Sequence, residues 1–135
     1  MFCDIKDKLD DPIVRMIMSE SAFDNSPEAM DYKAAEFRRK SNWSLYGWLE
    51  NGEVIGVCGF EVHTDWVEIL NIAVKNDVRQ RGVGKAMIDT LKMYGKTIEA
   101  ETDDDAVDFY RKCGFETTPI QKYNVRRWVC VLSNV

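Results

Sequence analysis

The sequence predicts an α/β (α+β) fold of six or seven strands and about four helices, and three observations carry that prediction. An apolar run rich in β-branched residues, Trp66 to Val74, passes through an Arg/Gly loop into a helix with Val83, Ala86, Met87, Thr90 and Leu91 on one face. Asn51-Gly52, a strong hairpin dipeptide, separates two further strand-like runs. Finally, helix and strand patterns alternate along 135 residues with no repeat, linker or low-complexity segment, so one domain, residues 1–135, is expected.

In chain order, residues 2–8 read as an edge strand. Asp11-Pro12 then opens a helix to about Phe23, with Ile13, Ile17 and Met16 turned inward. Ser26-Pro27-Glu28 supplies an N-cap and first turn for a second helix, which carries Met30, Ala34 and Phe37 at core spacing and ends near Lys40. Residues 44–49 and 54–62 form the hairpin, and His63-Thr64-Asp65 makes the next turn. Strand 66–74, the Arg/Gly loop and helix 83–94 follow, with Gly95 as the stop and residues 97–101 as a strand. A last helix spans about 104–112, and 121–124 with 126–132 supply a closing hairpin.

The Arg/Gly loop has the layout of a phosphate cradle. Gly82 and Gly84 let the backbone approach a ligand, and the first free N–H groups of the helix point outward at its positive dipole end. A nucleotide P-loop needs glycine where Arg79 stands and Ser or Thr where Ala86 stands, so that ligand class is excluded. A dinucleotide fingerprint needs a third glycine where Met87 stands, and that is excluded too. What remains, Arg-x-x-Gly-x-Gly at Arg79, Gly82 and Gly84, resembles the acetyl-CoA loop of the GNAT superfamily of N-acetyltransferases. Downstream, Ala106-Val107-Asp108-Phe109-Tyr110-Arg111-Lys112-Cys113-Gly114-Phe115 is similar to the family's second signature, an apolar helix reading roughly Ala-x-x-Phe-Tyr-x-x-x-Gly-Phe. Ala106, Phe109, Tyr110 and Cys113 share a helix face, and Gly114 suits a left-handed C-terminal cap. Residues 45–132 carry the resemblance and the N-terminal third follows it loosely.

The resemblance implies a mixed, mostly antiparallel twisted sheet whose strands splay at the cofactor site, and acetyl-CoA as the acetyl donor. It places the pantetheine arm along the main chain of Ile72, Ala73 and Val74, as though it were an added strand. The phosphates fall to the loop Arg79, Gln80, Arg81, Gly82, Val83, Gly84 and Lys85. Phe109 and Tyr110 of the signature helix complete the cofactor set, with Asp103 where many members carry Asn. A carboxylate suits a helix N-terminus and suits a phosphate poorly, so Asp103 either contacts the pantetheine amides or the amine, or only caps the helix. Arg79 and Arg81 act as cations toward pyrophosphate or contribute backbone N–H groups alone.

Amide formation sets the chemistry to be assigned. An alkyl amine is cationic at neutral pH, so a base must take its proton before it attacks the thioester. The oxyanion needs a donor, and the departing thiolate benefits from an acid. By position, the resemblance gives the oxyanion to the N–H of Val74 and the acid to the hydroxyl of Tyr110, whose plain alternative is packing beside Phe109. Glu68 stands six residues before Val74 on the same strand face, in an otherwise apolar strand. It is a base candidate, or a carboxylate near the strand's exposed start. Glu99 and Glu101 compete from one face of the next strand, a water chain is a further choice, and His63 is a weaker one.

Composition narrows the rest. The net charge of −5, with no basic run beyond Arg38-Arg39-Lys40 and Arg126-Arg127, argues against a nucleic-acid face. No apolar run approaches a membrane span and the N-terminus lacks the apolar core of a signal peptide, so a cytoplasmic protein is expected. Cys3, Cys58, Cys113 and Cys130 lack metal-ligand spacing and read as reduced thiols, and a single histidine argues against zinc; no metal is expected. The reading is therefore an N-acetyltransferase acting on a small-molecule or peptide amine by direct attack in a ternary complex, as monomer or homodimer. The alternative is a non-catalytic acyl-CoA-binding sensor or regulatory protein of the same fold. Phe23, Tyr32, Trp43, Tyr46, Trp48, Trp66 and Trp128 are candidate pocket walls or core. The acceptor amine is not legible.

Overall fold

The computed structural model describes residues 1–133. Seven strands, β1 (Phe2–Asp4), β2 (Trp43–Glu50), β3 (Glu53–Val62), β4 (Trp66–Val74), β5 (Thr97–Thr102), β6 (Glu116–Lys122) and β7 (Val125–Leu132), form one sheet in the order β1-β2-β3-β4-β5-β7-β6. Only β4 and β5 run parallel. Helices α1 (Pro12–Ser19) and α2 (Pro27–Arg39) cover one face, and α3 (Val83–Leu91) and α4 (Val107–Lys112) cover the other. Each face has its own apolar cluster: Phe60, Val67, Met87, Leu91 and Tyr110 beneath α3 and α4, and Leu45, Val57, Ile17 and Phe37 beneath α1 and α2.

The N-terminal elements form from local signals and then depart from simple periodicity. Asp11 caps α1 by accepting from Ile13 N at 2.8 Å, with Pro12 in the first turn. The buried stripe is Val14, Ile17 and Met18, an i, i+3, i+4 set; Ile13 and Met16 are exposed, contrary to the inward positions expected for them. The helix also stops at Ser19 rather than near Phe23, which is 96% exposed in the α1–α2 connection. Ser26 caps α2, and Met30, Ala34 and Phe37 are buried as the spacing requires. Strand β1 ends at Asp4 because the Asp4 carboxylate accepts from Lys6 N at 2.8 Å, turning the chain into a short 3-10 segment instead of continuing to Lys8.

At the C-terminal end, β6 starts at Glu116, five residues before the strand expected from 121. Pro119 lies inside it, which the sheet tolerates because β6 is an edge strand. Tyr123 and Asn124 (φ 54° and 61°) make the hairpin turn to β7, as Asn51 and Gly52 (φ 54° and 79°) do between β2 and β3.

Two features of β4 position the candidate site. The β3–β4 register shifts between Gly59, which pairs with Asn71, and Phe60, which pairs with Ile69, leaving Leu70 as an extra residue. The bulge reverses the side-chain alternation: Val67 and Ile69 face the α3/α4 cluster before it, and Ile72 and Val74 do so after it. In addition, β4 pairs with β5 only from Trp66 to Ile69, opposite Thr97 to Ala100. Beyond that point β5 continues with β7, and the last five residues of β4 have a partner strand on the β3 side alone.

Candidate functional site

The fork between β4 and β5 is the open end of the sheet, and its β4 edge presents main-chain groups. Lys75 N donates to Ile55 O of the neighbouring strand at 2.8 Å. By antiparallel alternation, Ala73 also faces β3, whereas Ile72 and Val74 turn their N–H and C=O groups to the open side. Of the three residues expected to pair with an extended ligand, Ala73 is thus committed to the sheet. The Val74 carbonyl accepts from Arg79 Nε at 3.3 Å, which leaves its N–H available.

The loop after β4 passes through the left-handed region twice, at Gln80 (φ 67°) and Gly82 (φ 84°), and delivers the chain into α3. The first intrahelical bond is Ala86 N to Gly82 O at 2.9 Å. The N–H groups of Val83, Gly84 and Lys85 therefore have no partner within the helix and point out at its positive end. The two glycines do different work. A Cβ at Gly82 would meet no atom within 4 Å, so that position faces open space and glycine serves the backbone turn. A Cβ at Gly84 would stand 2.7 Å from Phe109 Cε1, so the missing side chain of Gly84 serves close packing of α3 on α4 while its N–H stays at the helix end. Phe109, expected among the cofactor residues, makes that packing contact.

The loop cations are each paired with a carboxylate of the chain. Arg79 bonds Glu20 at 3.0 Å, Arg81 bonds Glu50 at 3.0 Å and Lys85 bonds Asp89 at 2.9 Å. Asp103 accepts from Ala106 N at 3.0 Å, holding the turn that leads into α4. Asp104 is pulled the other way, to Arg126 and to Trp128 Nε1 at 2.7 Å.

Tyr110 projects from α4 into the α3/α4 cluster with only 5% of its surface exposed, its ring edge-on to Phe109 and Phe115. Burial, with Cys58, Cys130, Cys113 and Asp103 nearby, pushes its pKa above the ordinary tyrosine value, so the hydroxyl keeps its proton.

The acidic candidates lie on the other face. Glu68 pairs in register with Glu61 on β3 and Glu99 on β5, the last pair but one before the fork. Because of the Leu70 bulge, Glu68 faces α1 and α2 while the Val74 side chain faces α3 and α4, so the even alternation that would put them on one face is broken. Glu101 does share a face with Glu99, since Ile98 and Ala100 fill the opposite cluster. Its carboxylate is occupied: Lys122 and Arg127 both bond it at 3.1 Å. Burial acts to raise its pKa, but these two cations outweigh that and hold it below the usual glutamate range. Among the described residues Glu99 has no ion pair. Glu68 accepts a contact from His63 Nε2 at 3.1 Å.

Sequence reasoning missed two residues. Asn71, beside the bulge, holds the one fully buried side-chain oxygen or nitrogen among the described residues that lacks a hydrogen-bond partner. Its Oδ1 lies where a Gly59 Cβ would project, 2.1 Å from that point, so Gly59 is required by Asn71 and Phe37. The second, Lys122, neutralises Glu101 from an edge strand whose start Pro119 concealed.

A family model for the acetyltransferase (GNAT) family matches residues 11–115. The chain belongs to the GNAT acetyltransferase family. This GNAT chain superposes on the ribosomal-protein-S18-alanine N-acetyltransferase of Escherichia coli with a TM-score of 0.75 at 19% identity, covering 99% of this chain and 93% of that one. An aminoglycoside 6'-N-acetyltransferase complexed with coenzyme A gives 0.75 at 14% identity, covering 100% and 97%. A GNAT acetyltransferase from Elizabethkingia anophelis with acetyl-CoA bound gives 0.67 at 20% identity, covering 90% and 91%. At these identities the likeness is one of fold. Among curated sequences, UPF0157 protein YqkA of Bacillus subtilis (strain 168) is 27% identical over 100 residues, which are 70% of this chain and 29% of YqkA. The GNAT chain thus matches under a third of that relative's length.

Proposed function

We propose that this chain is an N-acetyltransferase that moves an acetyl group from acetyl-CoA to a primary amine by direct attack in a ternary complex. One observation carries the reading: β4 parts from β5 beyond Ile69, and its open main-chain edge leads into the unpaired N–H groups at the start of α3. Acetyl-CoA, when bound, supplies the acetyl group as an activated thioester. The fit of the residues supports it as donor: the unclaimed N–H groups of Val83, Gly84 and Lys85 suit pyrophosphate, and the open space at Gly82 leaves room for it. The open main-chain edge at Ile72 and Val74 suits an extended amide-bearing arm.

Each role then follows from position. Glu68 accepts a proton from the acceptor ammonium on the α1/α2 face, one step before the strands part. Glu101 is a poor base, because both flanking cations favour its ionised form. Tyr110 holds a proton at its hydroxyl for the departing sulfur on the α3/α4 face, and burial ensures that the proton is present at neutral pH. Donors for negative charge at the acyl oxygen come from the outward N–H groups of Ile72 and Val74; Ile72 stands nearer the fork and Val74 nearer the phosphate loop.

Thiol release from acetyl-CoA against a panel of primary amines tests this reading. Amine-dependent release that falls tenfold or more in Tyr110→Phe, with acetyl-CoA affinity retained, is the expected outcome. Binding of acetyl-CoA with no release for any small amine or peptide amine would instead make the chain a sensor.

A further inference from the structure

The turn between β3 and β4 brings three titratable groups together on the α1/α2 face. His63 Nε2 lies 3.1 Å from Glu68 Oε1 and His63 Nδ1 lies 3.5 Å from Glu61 Oε2. Glu61 and Glu68 are themselves register partners. The ring cannot swing freely between them, since it stacks on Trp66 at 4.2 Å with an interplanar angle of 12°, and Lys96 Nζ bonds the His63 carbonyl at 2.8 Å. Glu61 is fixed in turn by Asn42 Nδ2 at 2.8 Å and Trp43 Nε1 at 3.1 Å. The side-chain donors of the three lie within 4.8 Å of one another, as a metal site would require. Each ring nitrogen, however, faces a different carboxylate, and one imidazole cannot offer both nitrogens to one ion. The geometry is that of a hydrogen-bonded bridge.

We propose that His63 is a positioning residue for Glu68. The inference rests on the reading of Glu68 as the base. The imidazole donates Nε2–H to Glu68 Oε1, which fixes the carboxylate and leaves Oε2 to take one proton from the acceptor ammonium; the ammonium becomes the neutral amine and the carboxylate becomes the acid. The ring faces Glu61 from β3 and Glu68 from β4, Lys96 holds its carbonyl, and Glu99 is the next residue across the row from Glu68.

His63 is the only histidine of the chain, so its imidazole carbon–proton NMR signal needs no assignment and no ligand. At fixed pH that signal in the full-length protein is expected to move in Glu68→Gln and also in Glu61→Gln, as the ring loses one of its two facing carboxylates. A signal that either substitution leaves unmoved would overturn the bridge. In kinetics with the fastest amine of the panel, His63→Ala should lower kcat about tenfold with little change in KM for acetyl-CoA. His63→Gln, whose amide can still donate to Glu68, should retain most of kcat. Equal losses in both variants, or none in either, would assign His63 a merely structural place. Failure of every amine would reject the transferase reading, while the NMR signal would still decide whether the bridge exists.

Discussion

At the scale of single residues, the chemistry depends on which oxygens and nitrogens the fold leaves unclaimed. Tyr110 is buried among thiols and aromatic rings, and its pKa is raised. The hydroxyl therefore stays neutral through the range in which an amine loses its proton. In a pH–rate profile, Tyr110 is expected to contribute no alkaline loss below about pH 10, the ordinary tyrosine value. A descending limb near pH 8 to 9 that vanished in Tyr110→Phe would contradict this. The same shift destabilises the fold in base: stability is fully present below the unfolded value near 10 and is lost as pH rises through the higher folded value. Glu101 behaves in the opposite sense. With its folded pKa lowered, it contributes stability above about pH 4.5, the unfolded value, and that contribution is lost as pH falls through the folded one. Wild type and Glu101→Gln should converge in stability as pH drops below about 4.5, and parallel acid-denaturation curves would show that the Lys122 and Arg127 bonds are not held in solution.

At the scale of elements, the two glycines of the loop make separable predictions. Gly84→Ala drives a Cβ to 2.7 Å from Phe109 and should cost about 1–3 kcal/mol of stability, measured by chemical denaturation, by overpacking α3 on α4. Gly82→Ala meets no atom but must hold φ near 84°, and should cost about 1–2 kcal/mol. If Gly84→Ala were neutral, the α3–α4 contact would be looser than the structure has it. The order of elements was legible because each is bounded by a local signal: Asp11-Pro12, Ser26-Pro27, Asn51-Gly52, Gly95 and Gly114. What was not legible is non-local. The Leu70 bulge leaves no mark in an apolar strand, because residues on both faces of β4 are apolar and a change of phase alters nothing in the pattern. That single extra residue moves Glu68 to the face opposite the Val74 side chain. Likewise, the packing reason for Gly84 was hidden because the ring that needs its space, Phe109, lies 25 positions further along the chain.

At the scale of the molecule, the sheet is held by two separate apolar clusters, one on each face, and β4 parts from β5 between them. Splitting β4 from β5 leaves main-chain groups without a strand partner, a liability that edge strands normally cover. Here the open edge leads straight into the unpaired N–H groups of α3, so the proposed extended ligand with a phosphate at one end would satisfy both. Among the described residues no helix is long and apolar enough to cross a membrane.

Calorimetric titration of wild type and Gly82→Glu with acetyl-CoA tests the central claim most directly. Wild type should bind in the micromolar range, and Gly82→Glu, which places bulk and negative charge in the cradle, should keep its fold by circular dichroism and lose binding. No heat from wild type, or equal affinity in the two proteins, would contradict the assignment of the fork and its loop as the acetyl-CoA site.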